Sequence, residues 1–80
     1  MKPHQCKAAR ALIGWTIDDL SKAAGLARGT IVDFERDQRT TYPSTVEVLQ
    51  RTLERAGVVF MAVDAAGYQI RGVGLREESE

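Results

Sequence analysis

Residues 16–36 read TIDDLSKAAGLARGTIVDFER, and two short helices separated by one tight turn account for the signals in this stretch. Thr16 opens the first helix. Its hydroxyl can accept from the amide three residues on, while Asp19 reaches back to the Thr16 amide in a variant of the capping box. Trp15 and Leu20 flank that box where an apolar pair staples the entering chain. Asp18 and Asp19 complement the positive end of the same helix, and Gly25 supplies the natural stop. A second helix is expected from about Arg28 to Arg36, with Ile31 and Phe34 inward and Arg28, Gly29, Thr30 and Asp33 facing elsewhere. Its start is weak. Ala27 stands where a Ser or Thr cap is preferred, and Gly29 costs about 1 kcal/mol relative to Ala.

On the N-terminal side, Pro3 suits a first helical turn, and Cys6, Ala9 and Ile13 recur at helical spacing before Gly14. A helix over residues 3–13 follows. On the C-terminal side, residues 37–42 (DQRTTY) have no apolar period and read as a loop. Ser44 with Glu47 matches a full capping box, Val46, Leu49, Leu53 and Ala56 form a stripe, and Gly57 ends that helix. The pattern then changes. Val58 to Val63 is rich in β-branched and aromatic residues, Asp64 to Gly67 is turn-like, and Tyr68 to Leu75 alternates loosely, which together read as a β-hairpin. Its first strand is apolar on both faces, more than an isolated ribbon can bury. The expected fold is mainly α: a four-helix bundle over residues 1–57, a hairpin over 58–76 and a frayed acidic tail at 77–80.

Composition narrows the possible functions. The chain has 80 residues, 44% apolar and 28% charged, with eleven Lys and Arg against eleven Asp and Glu. This describes one small globular domain, not a disordered or membranous chain. No apolar run approaches the roughly 18 residues of a membrane span, and Lys2 is followed by no apolar leader. The single cysteine leaves no disulfide framework and fits a reducing cytoplasm. His4 and Cys6 lack a zinc spacing, Cys6 reads as a small core residue, and Gly72-Val73-Gly74 has no strand-to-helix context for a phosphate loop. No catalytic set can be assembled around one N-terminal histidine, so neither enzyme activity nor a cofactor or metal is expected. A net charge of zero offers no global electrostatic case for nucleic acid. It is a sum of two parts: residues 1–60 are mildly basic and residues 61–80 are acidic.

Two helices joined through Ala24-Gly25-Leu26 meet the requirement of a helix-turn-helix, and the resemblance extends beyond them. Arg10 through Leu20, Ala23 through Leu26, Thr30-Ile31, Phe34-Glu35-Arg36, and Pro43 followed by Leu49 resemble, in that order, the λ-repressor-like, Xre-type DNA-binding domains. The opening QCKAARALIGW and the later AGV-F also look like a subgroup of very short bacterial regulators. The resemblance implies that the Arg28–Arg36 helix lies in the major groove with Arg28, Gly29 and Asp33 towards base edges. A guanidinium matches guanine O6 and N7, and a carboxylate can accept from a cytosine amino group. Many relatives carry a polar side chain where this chain has Gly29.

The resemblance places Thr16, Ile17, Thr30, Arg39, Thr40, Thr41 and Tyr42 against the phosphate backbone, although Ile17 stands where relatives often have Gln. It also implies a structural ion pair between Arg10 and Glu35, and a left-handed turn at Asp37 where relatives often have Gly. The expected function is therefore a dimeric DNA-binding regulator, more simply a repressor because no effector domain fits in this length. Double-stranded DNA is the expected partner, and the cytoplasm, on the nucleoid when bound, the expected location. Val59, Phe60, Met61, Val63, Tyr68 and Ile70 of the hairpin are the expected dimer contacts. An antitoxin-like module whose apolar strand binds another protein is the alternative.

Overall fold

A computed structural model describes residues 1–38, 40–65 and 68–76, with the side chains of 63–65 and 68–71 left aside. The order of elements is α1 (Pro3–Ile13), α2 (Ile17–Ala24), α3 (Arg28–Glu35), α4 (Pro43–Arg55), β1 (Val58–Ala65) and β2 (Tyr68–Leu75). The tail at 77–80 lies outside the described residues.

Local chemistry sets most of these boundaries. Thr16 Oγ1 accepts from the Asp19 amide at 3.1 Å, and the Thr16 amide donates to Asp19 Oδ2 at 2.9 Å, so the capping box forms as expected. The bond from the Thr16 amide foremost, and then the Thr16 hydroxyl, hold the Asp19 carboxyl below the usual carboxylate range. Gly25 takes a left-handed φ of 68° and ends α2. The turn behind it is pinned from both sides: the Leu26 amide donates to the Ser21 carbonyl, and the Ser21 hydroxyl donates to the Leu26 carbonyl.

Asp37 has a φ of 54°, the left-handed turn expected of it. An L-residue with a Cβ holds that conformation at a cost of about 1–2 kcal/mol. Asp37→Gly should therefore raise stability by up to about 1 kcal/mol, read as a higher midpoint in urea unfolding. An unchanged or lower midpoint would show that the Asp side chain already offsets the strain.

Helix α4 corrects two expectations. It begins at Pro43, with Tyr42 as N-cap and no side-chain cap bond, so Ser44 lies inside the first turn and does not cap. Proline has its φ pre-set for a first helical residue and lacks an amide that has no partner within the helix at that position. Glu47 turns instead to Arg51, Oε1 to Nη2 at 2.6 Å, one helical turn on. Ala56 is the exposed C-cap and not part of the buried stripe. Thr52 is buried in its place, its hydroxyl donating to the Val48 carbonyl at 2.7 Å.

The core is built from all four helices and the first strand: Cys6 and Ala9, Leu20, Ile31 and Phe34, Leu49 and Leu53, and Val58. Small residues on α1 let the other helices approach it closely. Burial, and then the neighbouring Glu35, push the Cys6 thiol well above its ordinary pKa. Thiolate is the reactive form, so Cys6 should resist alkylation at pH 8 until the protein is denatured. Rapid labelling of the native protein in a thiol-reagent assay would contradict this.

The strands pair antiparallel, with Val58 opposite Leu75, Phe60 opposite Val73 and Met61 opposite Gly72. Among the described side chains, one face of the hairpin packs onto the helices. Val58 is buried, and Phe60 and Val73 pack against the core, whereas Val59 and Met61 are exposed. Phe60 is half-buried against the core, on the opposite face from Val59 and Met61 as alternation along a strand requires. Val63 pairs with Ile70 and Ala65 with Tyr68 in the backbone register; the side chains of Val63, Tyr68 and Ile70 lie outside the described residues. Gln5 anchors this arrangement. It is buried, accepts from the Lys2 amide at 2.8 Å, and donates to the Gly72 carbonyl at 2.9 Å and the Met61 carbonyl at 3.4 Å.

Candidate nucleic-acid interface

Recognition by a helix requires that the helix be fixed against the rest of the domain while one face stays open. Helix α3 is fixed from beneath. Ile31 and Phe34 enter the core, and Glu35 receives a two-pronged contact from Arg10, Nε to Oε2 at 2.6 Å and Nη2 to Oε1 at 2.7 Å. The third nitrogen of Arg10, Nη1, donates to the Trp15 carbonyl at 3.1 Å, and Cys6 Sγ lies 3.3 Å from Glu35 Oε2. One guanidinium thus joins α1, the α1–α2 loop and α3. Its hydrogen bonds to Glu35 raise the Arg10 pKa further, so the pair stays ionised on the arginine side. This is the structural ion pair expected from the sequence.

The open face of α3 carries two rows at helical spacing. Arg28, Val32 and Arg36 form one row; with Lys7 and Arg10 from α1, Ile17 from α2 and Glu35 they line a surface cavity of about 370 Å³. Four cations meet there. Its carboxylate, Glu35, is held by Arg10, so the outward charge is positive. Neither Lys7 nor Arg36 is marked as a contact by its place in the sequence, because only packing brings them to the same opening. Ile17 lines the cavity and packs against the core; lacking a side-chain donor, it can meet a phosphate only through its backbone amide.

Gly29 and Asp33 form the second row. A Cβ built at Gly29 meets nothing within 4 Å, so the surface there is open to close approach, and Asp33 is half-buried. Arg28 is exposed and has a partner: its Nε donates to Asp18 Oδ1 at 2.9 Å. Helix α3 has no side-chain cap at Ala27 and no acid in its first turn, so the acid beside its N-terminal cation comes from α2.

The phosphate candidates are scattered more widely than the base candidates. Thr16 is exposed, with its hydroxyl oxygen accepting from the Asp19 amide; Thr30 is half-buried in the first turn of α3. Thr40 and Tyr42 are exposed before α4. Thr41 lines a separate cavity of about 410 Å³ with Glu47, Arg51 and Glu54, away from the opening beside α3. Arg39 lies outside the described residues. Among the described residues no cluster of His, Cys, Asp and Glu could hold a metal, and no helix is long and apolar enough to cross a membrane.

Comparison with known proteins agrees with this geometry. A family model described as helix-turn-helix matches residues 7–56, which run from Lys7 of the cavity through α4. No curated protein matches the chain. Covering more than half of the sequence, and containing the α2–turn–α3 unit and the Arg10–Glu35 clamp, that match shows that the chain belongs to the Xre/λ-repressor-like helix-turn-helix family of DNA-binding regulators.

Proposed function

We propose that this protein is a sequence-specific transcriptional regulator, a repressor that binds a pseudo-palindromic operator as a homodimer. The observation that supports it most is the gathering of Lys7, Arg10, Arg28 and Arg36 around one opening beside an exposed recognition-helix face. Phosphates of one strand would sit over Lys7 and Arg36 while Arg28, Gly29 and Asp33 approach base edges in the major groove. Thr16, Thr30, Thr40 and Tyr42, with the Ile17 amide, would hold the flanking backbone.

One such unit covers too little DNA for useful affinity, and two copies reading half-sites about 34 Å apart remedy this. The outward hairpin face with Val59 and Met61 is the proposed contact between copies. That exposed apolar face also favours a second reading, in which it docks a different protein in the manner of an antitoxin.

Selection of bound sequences from a random DNA pool tests the proposal directly. An enriched inverted repeat with one fixed spacing is the expected result; no enrichment at low salt would remove the DNA-reading function. On the selected operator, Arg28→Ala should cost about 1–3 kcal/mol and relax preference at one base pair. Arg36→Ala should weaken all sequences alike and reduce the salt dependence, as a phosphate contact does. Competition binding with single-base operator variants separates the two effects.

A further inference from the structure

The contact between Asp18 and Arg28 has no evident purpose in holding the fold. Both side chains are about two-thirds exposed, at 68% and 63%, and an exposed pair of this kind adds little to stability. Its location is more informative. It joins the first turn of α2 to the first turn of α3 across the Gly25 turn, at the residue proposed above to read a base. A carboxylate at that point also repels phosphate, so for a DNA-binding surface it is a cost unless it does something else.

We propose that Asp18 is a specificity-determining positioning residue: it aims the Arg28 guanidinium so that its terminal nitrogens meet a guanine. The donor in the contact is Nε, which leaves Nη1 and Nη2 as the two parallel donors that match guanine O6 and N7. An arginine side chain loses several rotatable torsions on ordering, and a guanidinium already held by one edge loses fewer when it binds. The neighbours of Arg28 in the first turn of α3 give it no such support. Arg28 is the first residue of the helix, Ala27 before it gives no side-chain bond, and Gly29 after it has no side chain. Asp18 does not touch the base; it acts through Arg28. Its negative charge lowers the protein's hold on DNA of any sequence, so the same residue exchanges general affinity for discrimination.

This inference rests on the proposed reading of DNA by α3, and the experiment separates the two. Wild type, Asp18→Ala, Asp18→Asn, Arg28→Ala and the Asp18→Ala/Arg28→Ala double variant are each titrated against the selected operator, its single-base variants and random-sequence DNA. Thermal melts establish that all five are folded. The expected result is that Asp18→Ala loses preference at the same base pair as Arg28→Ala, with about tenfold discrimination falling to a few-fold. Its affinity for random DNA should be equal to or above that of wild type. Asp18→Asn keeps an acceptor oxygen for Nε and should keep most of the preference; the double variant should be no less discriminating than Arg28→Ala alone. Full retention of the wild-type preference by Asp18→Ala would overturn the inference while leaving the reading by α3 intact. A wild type that prefers no sequence, or an Arg28→Ala that changes no position, would overturn both.

Discussion

Glu35→Ala should lower stability by about 3 kcal/mol, the low end of the range for breaking a buried ion pair, because the Arg10 edge reaches solvent at the cavity. The substitution leaves the guanidinium, with its side chain only 15% exposed, facing an apolar gap where two charge-assisted bonds had been. A chain of this length has a total stability of about 4–12 kcal/mol, so the loss is a large share of it. Urea unfolding followed by circular dichroism measures the effect.

The reciprocal test is the double substitution Arg10→Met with Glu35→Leu. Replacing both partners by apolar groups of similar size removes the desolvation cost together with the attraction, and it should recover much of the stability. DNA affinity should recover with it, since Arg10 is neutralised by Glu35 and the double substitution leaves the net charge around the opening unchanged. A loss below about 1 kcal/mol for Glu35→Ala would mean that the pair behaves as a surface contact and that α3 is held by Ile31 and Phe34 alone.

Met61→Asp should convert a dimer into monomers and weaken operator binding by about a hundredfold or more, the scale on which two linked half-site contacts exceed one. Met61 lies on the outward face of the hairpin and is 41% exposed, with its terminal methyl 3.5 Å from the positions where Gly72 and Gly74 would carry a Cβ. The two glycines leave a shallow trough that the methionine covers, and a flexible thioether repacks readily against a partner. A carboxylate there would meet its symmetry mate across a two-fold contact, adding repulsion to desolvation. Because the residue is exposed, the monomer should stay folded, and Met61→Leu should remain dimeric.

Sedimentation at micromolar concentration and gel shifts on the selected operator are the paired measurements. A monomeric wild type would overturn the hairpin as the contact between copies. The outward face would then belong to a different protein, the second reading above.

The parts of the fold that could be read directly are those whose causes lie within a few residues. Thr16 and Asp19 close their capping box across three positions, and Gly14 and Gly25 mark helix ends because the left-handed backbone there disfavours a Cβ. Helix α4 shows the limit of such reading. Ser44 and Glu47 have the spacing of a cap, but Pro43 starts the helix earlier and Glu47 finds Arg51. Two local signals competed, and the constraint built into the proline ring prevailed.

What the sequence alone determined was therefore the helix–turn–helix order, the strand pair, and the candidates Arg28, Gly29 and Asp33 through the family pattern. Tertiary structure alone decided that Phe60 turns inward while Val59 and Met61 turn outward, and that Gln5 ties α1 to the hairpin. It also decided that Lys7 and Arg36 share an opening with Arg10 and Arg28, and that Asp18 takes hold of Arg28. The physical reason is one of range. Caps, stops and periodicity act over three or four residues and leave a mark in the order of amino acids, whereas these contacts join residues ten to more than sixty positions apart, which meet only after the core has closed.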